Sequence, residues 1–141
     1  MNRIAVCGLT MLIAMVLLER DLAARQTRSK TAISYLERAD KELQSGSLDR
    51  AISDYGIALQ FDPNSAHAYI NRGLAEQSRE MFDSAIEDFT RAIAVEPTAA
   101  DAFLDRANTR VVHDDVEGAL ADYAAAIRLR ESYLANKVSG N

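Results

Sequence analysis

The hydrophobic positions of this chain fall into two unlike patterns. From Ile4 to Leu18 the sequence is a nearly unbroken apolar run, interrupted only by Gly8 and Thr10. From Ala32 onward apolar and polar residues alternate with a helical period. Ala51, Tyr55, Ala58 and Leu59 fall at i, i+4, i+7 and i+8, which is one face of a helix. Ala85, Phe89, Ala92 and Ile93 trace the same face further on. The two patterns predict a hydrophobic leader helix followed by a series of short amphipathic helices, an all-α chain.

The second pattern repeats at a fixed interval. Tyr35, Tyr69 and Phe103 are 34 residues apart, and the columns around them recur with them. Arg38, Arg72 and Arg106 precede the small residues Ala39, Gly73 and Ala107. Tyr55, Phe89 and Tyr123 form an aromatic column, followed by Ala58, Ala92 and Ala126. A period of this length marks an array of helical hairpins. Small residues let two helices approach and the aromatic fills the space beside them. Pro63 and Pro97 stop the second helix of the first two copies. One hairpin buries too little alone, so the copies stack to share a core.

The order of aromatic, small residue, Ala, aromatic, Ala and Pro resembles the tetratricopeptide repeat (TPR) family over residues 32–131. Asn71-Arg72-Gly73 is similar to a variant common in its bacterial members. One departure is the Arg column, where the family usually carries Leu. The resemblance implies a right-handed superhelix of three helix-turn-helix repeats, 32–65, 66–99 and 100–131. Residues 1–24 read as a signal peptide or membrane anchor and 25–31 as a linker. Residues 132–141 continue the last helix, because Glu131 stands where the other copies have Pro. No following copy is expected to cover that helix, which would leave Leu120, Tyr123, Ala124 and Ile127 on its outer face and open a route to a homodimer.

Charge narrows the function. Residues 32–131 hold 10 basic and 19 acidic residues, a net of −9. Nucleic-acid binding wants the opposite balance. The single cysteine, Cys7, lies in the leader, so the array has no thiol chemistry or disulfide. His67 and His113 lie in different copies, and no paired ligands accompany them. No phosphate loop, dinucleotide fingerprint or nucleophile elbow occurs. The reading is a non-enzymatic chain without metal or cofactor. Arg38, Arg72 and Arg106 find partners in Asp54, Asp88 and Asp122, either within a copy or, as the shared seam favours, from one copy to the next, Asp54 to Arg72 and Asp88 to Arg106.

The leader carries Arg3 before its apolar run and Arg25, Arg28 and Lys30 after it. Fifteen helical residues span about 22 Å, short of a ~30 Å hydrocarbon core. That length suits a signal peptide, while the trailing positive charges favour a retained anchor. The expected location is periplasmic or exported, or anchored at the inner membrane through residues 4–18.

The TPR resemblance further implies that the first helices of the copies line a concave groove. By column, it carries Leu36, Glu37, Asp40, His67, Ile70, Asn71, Leu74, Gln77, Asp101, Leu104, Asp105 and Asn108. Leu36, Ile70 and Leu104 form one apolar column, flanked by the carboxylates. The carboxylate-clamp members of the family hold an acidic chain terminus with Lys, Asn, Asn, Lys and Arg. Those columns here hold Leu36, Asp40, Asn71, Asp101 and Asp105, and only Asn71 matches. A carboxylate is repelled by such a groove, so the expected partner is a basic or neutral apolar protein or peptide segment. The alternative is a structural oligomerisation module that pairs through the C-terminal helix.

Overall fold

A computed structural model describes residues 2–139, and the side chains of residues 11–138. Six helices follow one another: α1 (Asn2–Gln44), α2 (Leu48–Phe61), α3 (Ala66–Ser78), α4 (Phe82–Val95), α5 (Ala100–Val112) and α6 (Val116–Ser139). No strand occurs among the described residues. The helices form three hairpins, α1–α2, α3–α4 and α5–α6, stacked through α2 on α3 and α4 on α5. α1 also touches α3, and α3 touches α5, while no contact joins α2 to α4 or α4 to α6. The first helices therefore crowd together and the second helices splay apart. That arrangement curves the solenoid with its first helices on the inner side.

Each hairpin turns by the same local device. The amide N–H groups of Ser47, Met81 and Asp115 donate to the carbonyls of Glu42, Glu76 and Arg110, five residues back, at 2.8, 2.9 and 2.9 Å. The residue before each donor adopts a left-handed backbone: Gly46 at φ +76°, Glu80 at +60° and Asp114 at +63°. This is the turn that closes a helix with its last carbonyls satisfied. Only the first copy places glycine there. Ser65 caps α3 by accepting from the Ala68 amide at 3.2 Å, and Asp115 caps α6 through the Gly118 amide at 3.0 Å.

The aromatic column is the core. Tyr55 and Phe89 are fully buried, and Tyr55 clusters with Ala39, Ala51 and Leu59 of its own hairpin and Ala68 of the next. Gly73 makes one close approach possible, since a Cβ there would lie 2.8 Å from the Phe89 ring.

The arginine column pairs differently from the expectation. Arg72 forks onto Asp88 at 2.6 and 2.7 Å, and Arg106 onto Asp122 at 2.8 and 2.7 Å. Arg38 forks onto Asp54 in the same way. All three pairs stay within a hairpin, 16 residues apart, instead of crossing to the next copy. The reason is geometric: each arginine stands six residues before the end of the first helix and each aspartate six after the start of the second, so the two are level across the hairpin. Each guanidinium also lies over the aromatic ring three residues earlier, at 4.8 Å for Tyr35, 5.9 Å for Tyr69 and 5.7 Å for Phe103. The seam between copies is bridged by Arg79 to Asp49 and by His113 to Asp83, both at 3.2 Å.

Residues 25–31, expected as a linker, continue α1 without a break. Arg28 donates to the carbonyls of Phe61 and Gln60 at 2.8 and 2.9 Å, which ties α1 to the C-terminal end of α2. Tyr35 stacks on Phe61 below it, with ring centroids 6.4 Å apart. Of the apolar run Ile4–Leu18, the side chains before Met11, Cys7 among them, lie outside the described residues. From Met11 to Leu18 every large apolar side chain is exposed. No helix among the described residues is long and apolar enough to cross a membrane. At the other end α6 runs through Tyr133 and Leu134 to Ser139, past the point where α2 and α4 stop.

Candidate functional site

The inner side of the stack is where the first helices meet, and residues from α1, α3 and α5 are joined there. Asp40 on α1 is the hub of one cluster. Its Oδ1 accepts from the Tyr55 hydroxyl at 2.6 Å and from Asn71 Nδ2 at 3.3 Å, and lies 3.2 Å from His67 Nε2. Asn71 Nδ2 lies 2.7 Å from the same imidazole nitrogen. Asp40, His67 and Asn71 are thus brought together across the seam between the first and second hairpins. Burial, and then the Asp40 carboxylate, push the Tyr55 phenol well above its ordinary range, so it remains a donor at neutral pH.

A second junction joins α3 to α5. Gln77 Nε2 donates to Thr109 Oγ1 at 3.0 Å, and the buried Thr109 hydroxyl donates in turn to the Asp105 carbonyl at 2.7 Å. On the third hairpin Asn108 Oδ1 accepts from the Tyr123 hydroxyl at 2.7 Å. Leu36, Ile70, Leu74 and Leu104 are half-buried, and Glu37 is exposed. Asp105 is half-buried, and burial followed by the charge of Asp101 raises its carboxyl pKa. Asp101 does not stand alone: Arg130 of α6 reaches it at 2.9 Å. One of the expected groove carboxylates is therefore matched by a cation from the same chain.

Sequence reasoning missed Tyr55, Tyr123 and Thr109 as members of this face. The columns do contain a signal for the tyrosines. Fifteen residues before the aromatic stand Asp40, Leu74 and Asn108, in that order, and the aromatics are Tyr55, Phe89 and Tyr123. Where the ring carries a hydroxyl, the earlier position carries an acceptor. Where it is Phe, the position is Leu. The second helix of the hairpin therefore sends its aromatic through the core, and the hydroxyl bonds Asp40 or Asn108 on the first helix.

The face offers apolar side chains, carboxylates and amide donors in a shallow row. Such a row suits a peptide segment better than a small molecule, which needs a concave pocket with converging groups. Among the described residues no group of three or more His, Cys, Asp or Glu side chains is placed to hold a metal.

Comparison with known proteins agrees with the period and the stack. The tetratricopeptide repeat family model matches residues 42–104. The matched stretch spans parts of all three hairpins, and the stack as a whole is similar to solved TPR domains. No curated protein sequence matches this chain. The helical array is similar to the first TPR of Spaghetti (RPAP3), bound to the HSP90 peptide SRMEEVD, at 27% identity and a TM-score of 0.70. That alignment covers 72% of this chain and 80% of the other. The second TPR of Spaghetti, bound to the same peptide, aligns at 26% identity and a TM-score of 0.72, over 76% of this chain and 98% of that one. The TPR2B domain of yeast Sti1, in a complex with pHsp70, shares the fold at 21% identity and a TM-score of 0.73, over 79% and 89% of the two chains.

Proposed function

We propose that this chain is an exported or membrane-tethered TPR adaptor that captures a basic or neutral apolar segment of another protein in its inner groove. The observation that carries the reading is the sign of the groove's charge. The HSP90 peptide bound by the similar Spaghetti domains contains two Glu and a terminal Asp. Here the expected clamp columns hold Leu36, Asp40, Asn71, Asp101 and Asp105. Lysine or arginine on the incoming segment would meet Asp105, Asp40 and Glu37, while its apolar side chains would cover Leu36, Ile70 and Leu104.

Two peptides of equal length test this, one alternating Lys with Leu and one alternating Glu with Leu. The first is expected to bind and the second not, and binding is expected to weaken as salt rises. Asp101→Lys with Asp105→Arg is expected to weaken the Lys–Leu peptide by several-fold or more. Equal binding of both peptides, or an unchanged double variant, contradicts the reading.

The leader supports the tethered part. A helix that is apolar on all sides, as Met11–Leu18 is, has no stable place in water. Fusing residues 1–30 to a reporter that matures only outside the cytoplasm is expected to yield signal. A reporter that stays soluble and active only inside the cytoplasm contradicts it.

A second reading, self-association, is favoured by the exposed Leu120, Ile127 and Leu134 of α6. Light scattering over a concentration series reads it directly.

A further inference from the structure

We infer that α6 pairs with the α6 of a second copy of this chain, antiparallel, about a two-fold axis passing beside Ile127. The inference rests on the self-association reading above and adds the partner surface and its register.

The outer face of α6 carries an apolar row, flanked between Ile127 and Leu134 by the exposed Arg130 and Glu131. Val116, Leu120, Ile127, Leu134 and Val138 are 55%, 63%, 56%, 58% and 79% exposed. At about 100° per residue all five lie within an arc of roughly 40°. The side of α6 that packs on α5, with Ala119, Asp122 and Ala126 buried, lies about a quarter-turn or a little more away. The hairpin therefore does not use the row.

The earlier copies show what this face normally does. At the matching positions α2 carries Ile52 and Leu59, and α4 carries Ile86 and Ile93. None of these four is exposed, because α3 and α5 pack there. On α6 no helix among the described residues takes that place. Beyond Glu131 the row also continues where the other copies have already turned.

The spacing identifies the occupant. Leu120, Ile127 and Leu134 recur every seven residues, the interval of a helix–helix seam. Val116 and Val138 stand four residues beyond each end. The row reads Val, Leu, Ile, Leu, Val in both directions, with the same gaps. An antiparallel copy thus meets it in register: Val116 level with Val138, Leu120 level with Leu134, and Ile127 level with itself. A two-fold contact requires this kind of self-complementarity, whereas an unrelated partner helix does not. The second half of the row exists only because α6 overruns the repeat, so the overrun supplies the symmetric surface.

The test uses the full chain in a mild detergent, with Cys7→Ser removing the native thiol. Light scattering is expected to give a dimer, and Ile127→Asp a monomer of unchanged helicity by circular dichroism. On oxidation Ile127→Cys is expected to crosslink to a dimer. Leu120→Cys is expected to crosslink efficiently with Leu134→Cys and poorly with itself. If Ile127→Asp loses helicity, the crosslinks and an Ile127→Ala variant decide in its place. A dimer that crosslinks through Leu120→Cys alone, or not through Ile127→Cys, overturns the register and leaves self-association standing. A strict monomer with no crosslink overturns both.

Discussion

At the scale of single residues, two positions carry costs that the fold tolerates. Glu80 holds the left-handed turn position that Gly46 fills in the first copy. A side chain there costs free energy that glycine avoids. Glu80→Gly is expected to stabilise the protein by about 1 kcal/mol, read from the midpoint of urea unfolding. An unchanged or lower midpoint contradicts that account of the turn. Glu76 is buried beside Asp88 and Arg72. Burial first, and then the charge of Asp88, push its carboxyl up to about 7. The folded chain thus binds this proton more tightly than the unfolded chain does. Glu76 therefore opposes folding increasingly as pH rises from its ordinary value of 4.5 towards 7, and by a constant amount above that. Glu76→Gln removes the titration and keeps the shape. Its thermal midpoint is expected to match wild type near pH 4.5 and to exceed it at pH 8. A difference that does not grow with pH contradicts this assignment. In the third copy the matching residue is Arg110, which binds Asp122 at 2.7 Å and removes the conflict.

Element by element, the second helices are held to the first by an aromatic, a small residue and a forked ion pair. The hairpins, their turns and their aromatic core were legible because each demand recurs every 34 residues, so chance alternation could be set aside. The partner of each arginine was not legible. Columns place Asp54 equally well for Arg38 and Arg72, and only the hairpin geometry selects Arg38. The groove's internal bonds were half legible. The exchange of Tyr55 over Asp40 for Phe89 over Leu74 lies in the sequence, but Arg130 reaching Asp101 depends on how far α6 extends. Gly73 lies close against the Phe89 ring. Gly73→Ala gains helix propensity of about 1 kcal/mol yet forces the ring aside at a cost of about 1–3 kcal/mol. Its urea midpoint is expected to fall, and Phe89→Leu in the same chain is expected to recover part of the loss. A midpoint above wild type for Gly73→Ala alone contradicts the close approach.

For the molecule as a whole, three surfaces have separate roles in this account. As proposed, the apolar helix at the N-terminal end would direct or tether, the inner face of the stack would capture a segment, and the outer row of α6 would join two copies. Arg28 gripping the end of α2 ties α1 at that residue to the array. The central claim is that capture occurs on the inner face and follows from its negative charge. A titration of isotope-labelled protein with the Lys–Leu peptide, followed by amide chemical shifts, tests it most directly. The account predicts that the large shifts fall on α1, α3 and α5, centred on Leu36, Ile70, Asn71 and Leu104, and that they shrink in high salt. Shifts concentrated on α2 and α4, or equal shifts with the Glu–Leu peptide, would contradict it.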